Sequence, residues 1–245
     1  LTVAEHRRGE LRDVSLELIT AGSDLADQTG GDLHVAIIGG AVEKYTDELN
    51  CDGVDIIHTV DHGDEFNHDV YVQAIEQLVD SVDPSFLLAP HSVNGMDYAP
   101  AIASGSNLPL ATDVVDIEYG GGLSVTRELY GGKVEGTVDV ERDAAVLTVR
   151  PAEWPVAEGA GEATVEMFDA DIDDNALRTT VNGYEEVAGG DVDISEAEFL
   201  VSIGRGIDEE ENIELIEELA DTLGATLSAS RPIVDNGWLP KNRQV

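Results

Sequence analysis

The sequence predicts an α/β fold: a parallel sheet with helices on both faces, joined to an antiparallel meander, then the start of a second α/β domain. Three observations predict it. Early in the chain, β-branched apolar runs alternate with amphipathic stretches of helical period, the rhythm of strand–helix–strand crossovers. From Ala111 the spacing shortens to strand-length runs divided by glycine turns, which reads as a meander. After a small, acidic stretch at Val187–Ser195, another strand–helix–strand unit opens at Phe199.

The elements follow in order. Leu1–Ala4 reads as a short buried strand. Val14–Ala26 carries a helical apolar stripe closed by Gly30-Gly31, the pair expected past a helix end. Leu33–Ile38 is a strand ending in Gly39-Gly40, Ala41–Leu49 a short helix, and Val54–Val60 a third strand. Val70–Val82 is a long helix with Val70, Ala74, Ile75, Leu78 and Val82 on one face. Phe86–Ala89 is a fourth strand, and Met96–Ser104 a helix with Pro100 placed near its first turn, where proline is tolerated. Val114–Tyr119, Leu123–Tyr130, Lys133–Val140 and Ala145–Val149 are strands turned by Gly120-Gly121-Gly122, Gly131-Gly132 and Arg142-Asp143, and all four are assigned to the meander. Ala163–Phe168 and Arg178–Glu185 read as strands or extended arms. The boundary between domains is placed at 188, giving 1–188 and 189–245. In the second, Phe199–Ile203 is a strand, Gly204-Arg205-Gly206 a tight turn and Asp208–Leu223 a helix. Its buried stripe is Ile213, Ile216, Leu219, Ala220 and Leu223, and Glu209–Glu211 lie in its first turn. Ala225–Ser228 returns as a strand.

Composition narrows the function. The 245 residues carry 13 basic and 51 acidic side chains, a net charge of −38, yet 42% of the chain is hydrophobic. That apolar content is enough for a packed core, which a disordered acidic chain lacks. Charge of this size opposes a compact state at low salt and is screened at molar salt, so a protein adapted to a high-salt cytoplasm is expected. A basic face for nucleic acid is missing, and the charge disfavours anionic membrane surfaces. Cys51 stands alone, so neither an intrachain disulfide nor a thiolate metal site is expected. No apolar run approaches bilayer-spanning length, and the opening residues lack the regions of a signal peptide. A soluble, cytoplasmic protein is expected.

Two basic turns stand out. Gly204-Arg205-Gly206 lies between a strand and a helix start, where backbone N–H groups bind phosphate or where glycines simply serve the turn. Ser230-Arg231-Pro232 follows the next strand, so both turns leave the same carboxyl edge of a parallel pair, where ligands gather. Arg231, in an apolar and turn-rich run with no evident acidic partner, is expected to be buried or half-buried. It serves either an anionic or planar cofactor or an interdomain ion pair. His58, His62 and His68, with Asp61, Asp64 and Glu65, have the composition of a metal cluster. But His58 is placed at a strand end and His62–Asn67 in a loop, so a solvated acidic loop is the expectation and no metal is assigned. Pro90–Gly95 is either a ligand cradle or a helix-entry turn. No nucleophile triad, carboxylate pair, phosphate-binding Walker motif or catalytic residue is found.

Val3-Ala4-Glu5-His6 with Gly9 and Leu11, Leu87-Leu88-Ala89-Pro90, Gly95–Pro100, Leu108–Val114 and Leu147–Pro151 resemble motifs of electron transfer flavoprotein alpha subunits. So, most specifically, do Val201–Gly206 and Ala229–Val245. The resemblance runs in order along the whole chain. It implies a first domain like those of adenine-nucleotide-binding proteins that keeps no nucleotide, contacts a beta subunit, and is followed by a domain carrying most of an FAD site. FAD contacts are implied at Arg205, Ser230, Arg231 and Val245, with Arg231 against the isoalloxazine ring. The implied role is an electron carrier, not a bond-making catalyst. It works as a heterodimer with a beta subunit, between acyl-CoA-type or other dehydrogenases and a quinone oxidoreductase or other acceptor. Family chains continue past the position of Val245 with a Gly-Gln-Thr/Ser-Gly stretch and an Ile-Ser-Gly segment, so an incomplete FAD domain is expected here. Two rivals are a nucleotide-binding regulatory module of the universal-stress type and a flavin-dependent oxidoreductase with its own substrate pocket. The first lacks a phosphate loop after the fourth strand, and the second lacks an acid, a base and a pocket.

Overall fold

The computed structural model describes residues 1–183, 194, 197 and 199–245. They divide into two units, Leu1–Val181 and Asn182–Val245, each described by itself.

In the first unit, β1 (Thr2–Val3) leads into a hairpin of β2 (His6–Arg7) and β3 (Glu10–Leu11). Helix α1 (Asp13–Thr29) follows and ends because Gly30 adopts φ +70° and donates its N–H to the Ala26 carbonyl, a left-handed cap that glycine enters freely. Strand β4 (His34–Gly39) is buried along nearly its whole length, as a parallel strand covered on both faces must be. A 3₁₀ turn at Val42–Tyr45 and a single turn of helix, α2 (Thr46–Leu49), lead to β5 (Ile56–Asp61). Helix α3 (His68–Val82) starts at Asn67, whose side chain accepts from the Asp69 and Val70 amides, satisfying donors that the helix itself cannot. Strand β6 (Phe86–Pro90) and helix α4 (Val93–Gly105) complete the alternation.

Then come β7 (Leu110–Tyr119), β8 (Leu123–Leu129), β9 (Val134–Val140), β10 (Ala145–Val149) and β11 (Thr164–Met167). The sheet order is β11-β5-β4-β1-β6-β10-β7-β8-β9. Helices α3 and α4 cover one face over Val3, Ala36, Ile38, Leu87 and Val146. Helix α1 and the Val42–Leu49 segment cover the other, over Ile37, Leu88 and Leu147.

Three expectations are corrected here. Strand β10 does not belong to the meander: it inserts between β6 and β7 and runs parallel to both, because its five residues are all buried and need cover on each face. Only β7, β8 and β9 pair antiparallel. Pro100 stands mid-helix, not in the first turn. The helix starts earlier than expected, since the Ser92 hydroxyl accepts from the Gly95 amide, and the proline leaves the Met96 carbonyl without its usual donor. His58 lies inside β5, 5% exposed, with Nε2 2.9 Å from His34 Nδ1. Of the strand or extended arm expected over Arg178–Glu185, residues 178–183 form no strand, which leaves the extended arm, and residues 184–185 lie outside the described residues. Arg178 reaches back to α3, where Asp69 accepts from its backbone N–H and its guanidinium.

The second unit contains β12 (Leu200–Ile203), α5 (Ile213–Leu223), β13 (Thr226–Ala229) and α6 (Arg231–Asp235). The strands run parallel, with Leu200 opposite Thr226 and Ile203 opposite Ala229. Ile203, Ile213, Ala220, Leu227, Ala229 and Ile233 form the core. The helix expected from Asp208 begins only at Ile213. Asp208 takes φ +66° and Glu210–Asn212 forms a 3₁₀ turn, so Glu209–Glu211 precede α5 instead of opening it. Leu219 and Leu223 are 46% and 60% exposed: two strands are too narrow to cover the whole apolar arc. The expected linker at Val187–Ser195 lies, apart from Ile194, outside the described residues.

Candidate flavin-binding edge

The site builds up from the register of β12 and β13. Because Ile203 faces Ala229, the chain leaves both strands at the same level. The Ser230 amide donates to the Ile203 carbonyl at 2.9 Å, carrying the pairing one step past the strand end. Lower down, the facing Ser202 and Ser228 hydroxyls meet at 2.5 Å and tie the strands together. Gly204 and Ser230 are therefore neighbours, and a Cβ at Gly204 would stand 3.5 Å from the Ser230 hydroxyl. Gly206 has nothing within 4 Å of where a Cβ would be. This edge is open backbone, so a ligand can approach it closely.

All four expected contact residues belong to this edge. Arg205 opens the 3₁₀ turn Arg205–Ile207 and is exposed. Ser230 precedes α6, and its hydroxyl makes no cap hydrogen bond. Arg231 is the first residue of α6. The Val245 amide donates to the Ala229 carbonyl at 3.0 Å, with Gln244 bridging in parallel to Ala229. Arg231 differs from expectation: it is 76% exposed and pairs with Asp235, Nε to Oδ2, at 3.4 Å. The run that carries it coils into a short helix, which puts Asp235 one turn away on the same side. The glycine turn also differs, since Asp208–Asn212, with its second 3₁₀ turn, separates Arg205–Ile207 from the start of α5. Phosphate binding there would rest on the turn and the arginine, not on a long helix dipole.

Arg243 is a residue that sequence reasoning missed. It is partly buried, and its Nη1 donates to the Leu227 carbonyl at 2.9 Å. Its one sequence signal is rarity, as one of only four basic residues in the Asn182–Val245 unit.

Side-chain contacts cross the corresponding carboxyl edge of the first unit. At the carboxyl ends of β1, β4 and β6, the Ser92 hydroxyl donates to Glu5 at 2.5 Å. His6 Nε2 lies 2.9 Å from the Ile38 carbonyl, to which the Tyr71 hydroxyl also donates. His6 fits only because residue 39 is glycine, where a Cβ would collide with its ring. Burial first, then nearby carboxylates, holds the Tyr71 hydroxyl above the ordinary tyrosine range. Pro90–Gly95 forms the entry turn of α4, capped by Ser92. His62 stands near Asp174 and His68 near Asp97. Among the described residues no group of three or more such side chains is placed to hold a metal.

Two family models match the chain. The electron transfer flavoprotein domain matches residues 1–173, and the electron transfer flavoprotein FAD-binding domain matches residues 193–245. The electron transfer flavoprotein subunit alpha of Methylophilus methylotrophus is 43% identical, over 100% of this chain and 77% of that protein. Its counterpart from Thermoanaerobacterium thermosaccharolyticum is 33% identical, over 99% of this chain and 76% of that protein. Subunit LctC of a lactate dehydrogenase (NAD(+),ferredoxin) from Acetobacterium woodii is 27% identical, over 98% of this chain and 59% of that protein.

Proposed function

The chain belongs to the electron transfer flavoprotein alpha-subunit family, and from that premise we propose that its flavin is FAD, gripped at the carboxyl edge of β12 and β13. The single observation that supports this reading most is the meeting of Arg205 and Ser230-Arg231 at one strand level. The donor set suits the group: two exposed guanidiniums for anionic oxygens or an electron-rich ring, a hydroxyl outside the helix cap, and a glycine turn no Cβ obstructs.

When bound, the flavin supplies the acceptance and return of electrons. The chain's contribution is electrostatic and positional. Arg231 holds a fixed positive charge where the reducible ring gathers negative charge. Arg205 neutralises phosphate, and Ser230 and the Val245 segment border the same edge. Such a site carries electrons without an acid or base of its own, which fits a carrier better than a bond-making enzyme.

We further assign the chain to a heterodimer with an electron transfer flavoprotein beta subunit in the cytoplasm. It takes electrons from acyl-CoA-type or other dehydrogenases and passes them to a quinone oxidoreductase or other acceptor. The His6, Tyr71 and Ser92 contacts across the strand ends of the first unit argue against a nucleotide-binding regulatory module. The test is co-expression of the chain, carried past Val245 through the segments that family members have there, with the beta subunit, followed by the visible spectrum of the purified complex and chromatography of the released cofactor. One FAD per complex is expected. A colourless complex, or one releasing FMN alone, would sink the assignment.

A further inference from the structure

We propose that Arg243 is a positioning residue for the flavin site: its guanidinium stands in for a backbone N–H on the outer edge of β13 and so fixes the segment that ends in Val245.

In a parallel pair, alternate carbonyls of a strand point to opposite edges. Strand β13 pairs with β12 along one edge. On the other edge, the Ala229 carbonyl accepts from the Val245 amide at 3.0 Å, a regular rung of a new parallel strand. Leu227 lies two residues earlier, so its carbonyl points the same way. It receives no strand amide from this segment; it accepts from Arg243 Nη1 at 2.9 Å. The lower rung of the ladder is thus made by a side chain. Leu227 is 4% exposed, and a carbonyl so placed needs a donor. A charged donor also makes a stronger bond than a neutral one.

Two anchors two residues apart, one through a side chain and one through the backbone, hold Gln244 and Val245 at a set height on β13. The Arg243 amide is itself turned back to the Pro240 carbonyl within the same 3₁₀ turn, so it is not free to serve as a backbone rung on β13. Ala229, which carries the upper rung, directly precedes Ser230 and Arg231. Loss of the Arg243 bond would therefore release the wall next to those two residues without removing any group that touches the ligand. The flavin link rests on the assignment made above; the anchoring of Val245 does not.

The test compares Arg243→Met and Arg243→Lys with the unsubstituted chain, each in complex with the beta subunit, by amide hydrogen exchange and FAD titration. In R243M, exchange at Val245 should quicken about tenfold or more while the Thr226 amide, bonded to the Phe199 carbonyl on the other edge, stays protected, since the change is local. The FAD dissociation constant should rise by about tenfold, because Val245 loosens while no group that touches the flavin is removed. R243K keeps a charged donor but loses the planar fork, and should fall between the two in both measurements. If R243M does not fold, R243K alone decides, through the same pair of readings. Unchanged Val245 exchange overturns the anchoring role. Faster exchange with unchanged FAD affinity overturns the link to the flavin site. An unsubstituted complex that binds no FAD overturns the functional assignment instead, and the exchange data still judge Arg243.

Discussion

Arg231 shows how much exposure decides at the level of one side chain. A unit charge 4 Å from the ring is worth roughly 4 kcal/mol at an effective dielectric of 20, but only about 1 kcal/mol in water. On a one-electron scale of about 59 mV per tenfold, that is the difference between something under 200 mV and about 40 mV. With 76% of its side chain exposed and Asp235 at 3.4 Å, Arg231 belongs near the lower figure unless a bound ligand or partner dries the edge. Arg231→Ala in the flavin-loaded complex should lower the potential by tens of millivolts, and Asp235→Asn, which removes a competing carboxylate, should raise it. A redox titration checks both, and an unmoved potential in R231A takes the residue out of the role. The sequence named Arg231 but not its surroundings. Ser230-Arg231-Pro232 reads as a turn, and the i, i+4 partner becomes visible only once Arg231–Asp235 is known to be helical. Arg243 was invisible for a related reason: its partner is a backbone carbonyl, which no side-chain pattern announces.

Secondary elements were legible wherever burial was amphipathic and misread where topology intervened. Helices α1 and α3 follow their stripes, and Gly30 ends α1 as the sequence indicates. Strand β10 marks the limit, since a short apolar run says that it is buried but not between which strands. What locks it in place is Arg150, which follows it. The guanidinium makes two bonds of 2.8 Å to Asp113 on β7 and one of 2.7 Å to Glu128 on β8, joining the inserted strand to the meander. Asp113 holds φ +59° beside an irregularity in the β10–β7 register, so the ion pair also steadies a strained residue. Hydrogen bonds from Arg150 hold the Asp113 carboxyl below the usual carboxylate range. A depressed carboxylate contributes stability that is fully present above its unfolded value, about pH 4, and is lost as pH falls through the lower folded value. Arg150→Met should therefore cost about 2 kcal/mol at neutral pH, lowering the thermal midpoint by roughly 6 °C. The gap from the unsubstituted chain should narrow as the pH drops below about 4. Equal midpoints at pH 7 would show that packing alone holds β10 between β6 and β7.

For the molecule as a whole, charge dominates. Thirteen basic residues face 51 acidic ones, and several of the 13 are already committed: Arg150 to Asp113 and Glu128, Arg178 to Asp69, Arg243 to a carbonyl. The uncompensated carboxylates lie on surfaces such as the outer side of α5, where Glu214, Glu217, Glu218 and Asp221 follow one another at helical spacing. Like charges so spaced repel. None of the described helices is long and apolar enough to cross a membrane, and Glu214, Glu217, Glu218 and Asp221 are all exposed. The Debye length falls from about 10 Å at 0.1 M salt to about 3 Å at 1 M, shorter than the gap between neighbouring carboxylates on a helix. Relief of even a few kcal/mol, at roughly 2–4 °C per kcal/mol for a chain of this size, should lift the thermal midpoint by about 10 °C between 0.1 and 2 M KCl. Screening and salting-out are separable. If screening is the cause, most of the rise comes below about 1 M and choline chloride reproduces it, whereas a salting-out effect grows steadily and depends on the identity of the salt, sulfate being strongest. A midpoint flat in KCl would mean that the surface charge is already balanced in the folded state, and adaptation to a high-salt cytoplasm would have to be given up.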